Sequence, residues 1–218
     1  MKIFLHGYCK RPGYEGYLFL NHNASEKEND GRITKGVGMI LSPEFAEAYT
    51  KAGAPTPITT PNSGENAGRF IGVPLMFQKY DDYGKRISGQ LKIFFASIYS
   101  PVPLKEQREF NEVWIPLLEK KPNNYETLTG HDVNASVGIR ESEEDPLKPT
   151  LGPFGKNHRN MKGTELLEIL TLQKLKLINS FFEKDSYTTW KNPNNGSLHM
   201  LDIFTCSRKL HIQNNTRL

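Results

Sequence analysis

Hydrophobic and polar positions fall into short segments separated by long polar connections. Residues 17–20 read as a short strand, followed by a polar loop over 21–35. Gly36-Val37-Gly38-Met39-Ile40-Leu41 reads as a buried strand. Ser42-Pro43 then supplies an N-cap and a first-turn proline for a helix over 43–51, which Gly53 stops. The Pro-, Thr-, Asn- and Gly-rich residues 54–67 predict a long surface loop. Strands over 70–80 and 91–100 pair across a connection at Asp81-Asp82-Tyr83-Gly84. After Pro101, the residues Phe110, Val113, Trp114, Leu117 and Leu118 share one helical face. A strand over 125–129 comes next, then a polar connection over 141–162 and a helix over 164–174. Three final strands cover 175–182, 187–191 and 198–205, while residues 1–16 show no clear pattern. Helices alternate with strands, yet several strands are hairpin-joined, so the prediction is an α/β fold with mixed sheets.

Composition narrows this picture only slightly. A chain of 218 residues suffices for one large domain or two small ones. A net charge of +4 supports no electrostatic claim on nucleic acid by itself. Cys9 and Cys206 make neither a disulfide framework nor a zinc set, which favours a reducing compartment. No apolar run approaches membrane-spanning length, and residues 1–5 are too short for a signal-peptide core. The expected location is intracellular, nuclear or cytoplasmic, with no membrane partner.

The chemistry concentrates in Gly130-His131-Asp132-Val133-Asn134-Ala135, just after the apolar residues 125–129. Alternation along an extended segment sends residues i and i+2 to one face, so Asp132 and Asn134 are expected side by side. A carboxylate there can take a proton from water or ligate a hard metal, and the amide can donate to a phosphate oxygen. A second reading makes the pair a turn that caps backbone groups.

Five stretches, in order, resemble the endonuclease/exonuclease/phosphatase superfamily, and within it the endonuclease domains of non-LTR retrotransposons and craniofacial-development-protein-like relatives. Gly36-Val37-Gly38-Met39-Ile40-Leu41-Ser42 is similar to the early core strand, and Leu91-Lys92-Ile93-Phe94-Phe95-Ala96-Ser97-Ile98-Tyr99-Ser100-Pro101 to the "xxxYxP" strand. Gly130 to Ala135 is similar to the "GDxNA" element. Gly152-Pro153-Phe154-Gly155 with Arg159-Asn160-Met161-Lys162-Gly163 resembles the "GxxG…RNxxG" connection. Tyr187-Thr188-Thr189-Trp190 with Leu201-Asp202-Ile203 resembles "YTW…xxDYI". The likeness spans 36–208, leaving an N-terminal segment over 1–35 with an edge strand and a tail over 209–218.

The resemblance implies a four-layered α/β sandwich with mixed sheets, Mg²⁺ or Mn²⁺ as cofactor and DNA as partner. It implies that Asp132 activates or orients the attacking water and touches the metal, and that Asn134 holds the nucleophile or a phosphate oxygen. Tyr99 is implied to reach the phosphate, and Asp202 to accept a hydrogen bond from a catalytic His. Asn160 and Trp190 are implied to contact nucleic acid. Each has a plainer alternative: sheet packing for Tyr99, a solvated loop amide for Asn160, core packing for Trp190. Arg159 and Lys162 are read either as phosphate contacts or as exposed solubilising charges.

The departures are specific. His131 and Val102 replace a Gly and a phosphate-contacting Asn. Glu15 is the nearest candidate for the metal-binding Glu, and His211 follows Asp202 too closely to be the catalytic His. The chain is therefore expected to be an incomplete copy of the fold, shortened at both ends. Three functions remain open: a DNA phosphodiesterase, an inactive or nucleic-acid-binding module of the same fold, and a phosphatase on small esters. A calcium loop is a further rival, since Asp132, Asn134, Ser136 and Glu143 occupy ligand positions of an EF-hand, although Val137 replaces its Gly.

Overall fold

The computed structural model describes residues 7–8, 16–24, 35–81 and 83–210. Glu15, His211 and Cys9, singled out above, lie outside the described residues, as does Asp82. The described residues through Tyr99, with Lys105–Tyr125, form one compact unit; Ser100–Leu104 with the residues from Glu126 onward form a second.

In the first unit, β1 (Gly7–Tyr8), β2 (Leu18–Asn23) and β3 (Gly36–Leu41) make an antiparallel sheet. Strand β3 has the predicted bounds but is only half buried: Val37, Met39 and Leu41 turn inward, while Ile40 is 64% exposed. Alternation decides this, because only one face of the strand meets the core. Strand β2 runs on through Asn23, into the residues expected to loop. Helix α1 (Pro43–Lys51) begins as predicted, with the Ser42 hydroxyl accepting from the Phe45 amide. Its end turns at Gly53, whose φ is +90°.

Strand β4 (Ile58–Thr59) interrupts the expected loop and pairs with β5 (Phe70–Tyr80), which pairs in turn with β6 (Arg86–Tyr99). All these pairings are antiparallel. The core of this unit joins Leu18, Leu20, Met39 and Leu41 to Ala46 and Tyr49 of α1 and to Ile71, Val73 and Leu75 of β5. Helix α2 (Leu104–Glu119) buries Phe110, Trp114, Leu117 and Leu118, the predicted face, while Val113 stays half-buried.

In the second unit, β7 (Glu126–Asp132) pairs with β11 (Asp202–Ser207), which pairs with β8 (Leu175–Leu177), again antiparallel. Strand β7 extends three residues past its predicted end and so includes Asp132. The run 175–182 is strand only to Leu177; a 3₁₀ turn, Ile178–Phe181, follows because the Ser180 hydroxyl donates to the Leu177 carbonyl and accepts from Gly152. The expected strands at 187–191 and 198–205 resolve into a small hairpin, β9 (Trp190–Lys191) with β10 (Leu198–His199), and the separate β11.

Helix α3 (Met161–Leu172) starts three residues before its predicted start. Asn160 is its N-cap, its side-chain oxygen accepting from Gly163 at 2.9 Å and from Ser136 at 3.2 Å. Two glycines allow chain segments to touch here. A Cβ on Gly163 would lie 1.9 Å from the Ser136 carbonyl oxygen, and one on Gly152 2.0 Å from that of Ser180. The "GxxG…RNxxG" stretch thus has a packing reason: its glycines admit neighbouring backbone, and its Asn caps a helix.

Candidate active site

The end of β7 and the start of β11 build the site. Their register sets Asp132 directly opposite Asp202 and His131 opposite Ile203. Directly opposed residues in an antiparallel pair hold their Cβ atoms about 4.5–5.5 Å apart, so the two carboxylates share one face. That opposition ties together two residues whose expected roles were separate.

Burial raises the Asp132 carboxyl above the usual range; the Asn134 amide partly offsets this, and the like charge of Asp202 adds to it. Asp202 is exposed and its backbone is pinned, because the Thr189 hydroxyl accepts from the amides of Leu201 (2.9 Å) and Asp202 (3.0 Å). Thr189, within the Tyr187-Thr188-Thr189-Trp190 stretch, carries no expected role in the sequence; its signal is a hydroxyl placed to bond nearby backbone.

Asn134 departs from the strand alternation expected of it. Its φ is +45°, in the left-handed region, and its amide donates to the Asp132 carboxylate at 3.3 Å. The chain turns there, as the capping alternative requires. Its side-chain nitrogen donates to the Ser100 carbonyl at 2.8 Å, while the Ser100 amide donates to the Asp132 carbonyl at 2.9 Å. With its nitrogen committed, Asn134 retains its side-chain oxygen as an acceptor.

His131 points to the opposite face, where it is buried, and its Nε2 lies 2.7 Å from the Ser100 hydroxyl. Burial holds this imidazole down at about 3. It is therefore neutral at physiological pH and no proton donor for the Asp132 face. A His with a depressed folded pKa costs stability in acid: between about pH 6.5 and 3 the unfolded chain binds a proton that the folded chain does not. Stability is expected to fall by up to about 1.4 kcal/mol per pH unit across that window. In His131→Gln this acid slope should flatten; chemical denaturation at pH 7, 6 and 5 measures it.

Asp132, Asn134, Asp202, Asn160 and Trp190 all lie in the second unit. Trp190 is 41% exposed, with its ring tilted against His199 at 5.6 Å between centroids, so it is not a core residue. Asn160 spends its oxygen on backbone amides. Arg159 donates to the carbonyls of Val137 (2.9 Å) and Ile139 (3.0 Å), and Lys162 to that of Val102 (2.9 Å). A cavity of about 440 Å³ adjoins these segments, lined in part by Ser136, Gly138, Lys156, His158, His199 and Met200.

Tyr99 ends β6 in the first unit. There the Arg69 guanidinium sits over its ring at 5.0 Å, and the Arg69 Nη1 donates to its carbonyl at 3.4 Å.

The calcium-loop rival fails on structure. A strand, not a helix, enters the loop; Val137 is buried; and Glu143 pairs with Arg140 and Lys148.

For a divalent metal, no three His, Cys, Asp or Glu side chains converge among the described residues. Two opposed carboxylates and an amide oxygen nevertheless suit Mg²⁺ or Mn²⁺, which keep several waters and use one or two carboxylates. The observation that fits is the register that sets Asp132 opposite Asp202, two carboxylates on one face.

No protein-family model matches the sequence, and no curated protein matches it. Among solved structures, the chain is similar to the endonuclease domain of TRAS1, a telomere-specific non-LTR retrotransposon. The TM-score is 0.47 at 14% identity, covering 87% of this chain and 67% of that one. Among the described residues no helix is long and apolar enough to cross a membrane.

Proposed function

We propose that the chain is a divalent-metal-dependent phosphodiesterase acting on DNA, with the four-layered α/β sandwich of the superfamily its sequence resembles. The observation that carries the reading is the register that opposes Asp132 to Asp202 beside the Asn134 turn. The five ordered sequence stretches supply the substrate class, and the cavity lined in part by Ser136, Lys156 and His158 offers polar groups to a phosphate backbone.

Asp132, Asp202 and the Asn134 side-chain oxygen would hold Mg²⁺ or Mn²⁺, which when bound supplies charge neutralisation at the attacked phosphate. The Asp132 carboxylate, half-buried and set opposite Asp202, is the group placed to orient or take a proton from the attacking water. The Asn134–Ser100 bond fixes the turn, so the carboxylate keeps its aim. Trp190, exposed on the hairpin, offers a ring face to a nucleobase.

A phosphatase on small esters is the reading to separate. Hydrolysis of bis-p-nitrophenyl phosphate in Mn²⁺ is expected to exceed that of p-nitrophenyl phosphate by about tenfold or more, in keeping with a site that tolerates a second ester group. A preference for the monoester would place the chain among phosphatases. Neither being hydrolysed by folded protein would favour an inactive module.

A further inference from the structure

A second cavity in the same unit, of about 380 Å³, has walls of a different kind. Pro149, Ile178, Phe181 and Phe182 supply apolar surface, and Lys148, Lys176 and Arg208 supply positive charge. None of these residues belongs to the carboxylate site.

Local sequence explains how the walls stand. The 3₁₀ turn that ends β8 carries Phe181 and leads to Phe182, and the Tyr187 hydroxyl donates to the Phe182 carbonyl at 3.0 Å. The Arg208 amide donates to the Lys174 carbonyl at 3.0 Å, just beyond the β8–β11 pairing. Its Nη2 donates to the Thr150 hydroxyl at 2.6 Å and to the Thr171 carbonyl at 3.4 Å. Its Nε is buried with no acceptor. A guanidinium presents its N–H groups as a rigid fork suited to a phosphate.

Charge bookkeeping leaves the cavity cationic. Lys176 Nζ donates to the Leu210 carbonyl at 2.8 Å, a neutral acceptor. Lys148 pairs with Glu143 at 2.7 Å in an exposed bridge shared with Arg140. Exposed pairs of this sort exchange readily with a stronger anion.

The volume lies in the range of small-molecule sites, which combine mostly apolar walls with a few convergent polar groups. It suits a single nucleotide-sized body rather than a run of nucleic acid. Phe rings favour a flat aromatic group, and the cations a phosphate dianion.

We propose that this cavity binds a small aromatic anion of the nucleoside monophosphate type, with its ring against Phe181 and Phe182 and its phosphate toward Arg208, Lys176 and Lys148. This site is separate from the carboxylate pair and stands or falls without it.

Calorimetric titration of the full chain with AMP, adenosine and inorganic phosphate, in EDTA, tests the proposal. AMP should bind saturably at one site, and adenosine and phosphate each about tenfold or more weakly. Phe181→Ala and Lys176→Met should each weaken AMP by about tenfold, the loss expected for one aromatic contact or one charge-assisted bond. Circular dichroism checks that both variants fold; Arg208 is left in place because it also ties Thr150. Asp132→Asn should bind AMP like the parent. Absence of saturable AMP binding to folded protein overturns the proposal, as does binding indifferent to both wall variants. Phosphate binding as tightly as AMP removes the aromatic half of it, and loss of binding in Asp132→Asn would seat the ligand at the carboxylates instead.

Discussion

Asp132→Asn is expected to lower phosphodiester hydrolysis by about 10³-fold, within the range for loss of a positioned base, and to make the protein more stable at neutral pH. The two effects share one cause. Asp132 carries its charge in a half-buried place opposite Asp202, and both burial and repulsion hold its carboxyl above the 3.8 of an ordinary Asp. A carboxyl whose folded pKa exceeds its unfolded value costs stability above the folded pKa, because the folded state must ionise it at a penalty. The penalty fades as pH falls through the folded pKa and is gone below 3.8. The amide variant never bears it. A melting gain at pH 7 should therefore shrink toward pH 4. Added Mn²⁺ should raise the melting temperature of the parent and leave that of the variant unmoved. A variant melting lower than the parent at pH 7 would mean that Asp132 is a structural cap.

Gly163→Ala is the second large effect. The added Cβ would stand 1.9 Å from the Ser136 carbonyl oxygen and 2.6 Å from its carbon. Neither partner has room to give, for the Asn160 amide donates to that oxygen at 3.0 Å while the Asn160 side chain accepts from the Ser136 amide. Overpacking against fixed backbone should cost about 3 kcal/mol, a melting loss of about 6–12 °C. The segment displaced carries Asn134, so hydrolysis should drop with stability even at temperatures where the protein is folded. Thermal denaturation followed by circular dichroism measures the first part. A loss below about 2 °C would show that the α3 start and the Ser136 turn move apart freely.

How far the sequence could be read depended on whether the deciding partner was local. Strand β3, helix α1 and strand β5 have the predicted bounds because Ser42, Pro43 and the apolar run at 70–75 signal within their own neighbourhood. Helix α3 starts before the predicted 164 because its cap is Asn160, whose oxygen serves both Gly163 and the distant Ser136. The single strand expected at 198–205 is two, since Leu198 and His199 pair with β9 while Asp202 onward pairs with β7. Periodicity cannot report a change of partner.

The site followed the same rule. Asp132, Asn134 and Asp202 were all visible as residues of interest. That Asp202 lies opposite Asp132 was not, because strand register between distant segments leaves no mark in either one. Alternation correctly puts His131 on the other face from Asp132, but it misplaces Asn134, where a positive φ ends the strand. The roles of Ser100 and Thr189, holding backbone at either side of the pair, were legible only once their acceptors and donors were in place.

The most direct test of the central claim is conversion of supercoiled plasmid by the purified chain in Mg²⁺ or Mn²⁺, beside Asp132→Asn and an EDTA control. Metal-dependent nicking that disappears in the variant and in EDTA is the predicted result. Folded protein that leaves the plasmid supercoiled, or nicks it equally in the variant, would contradict a hydrolytic role for the opposed carboxylates.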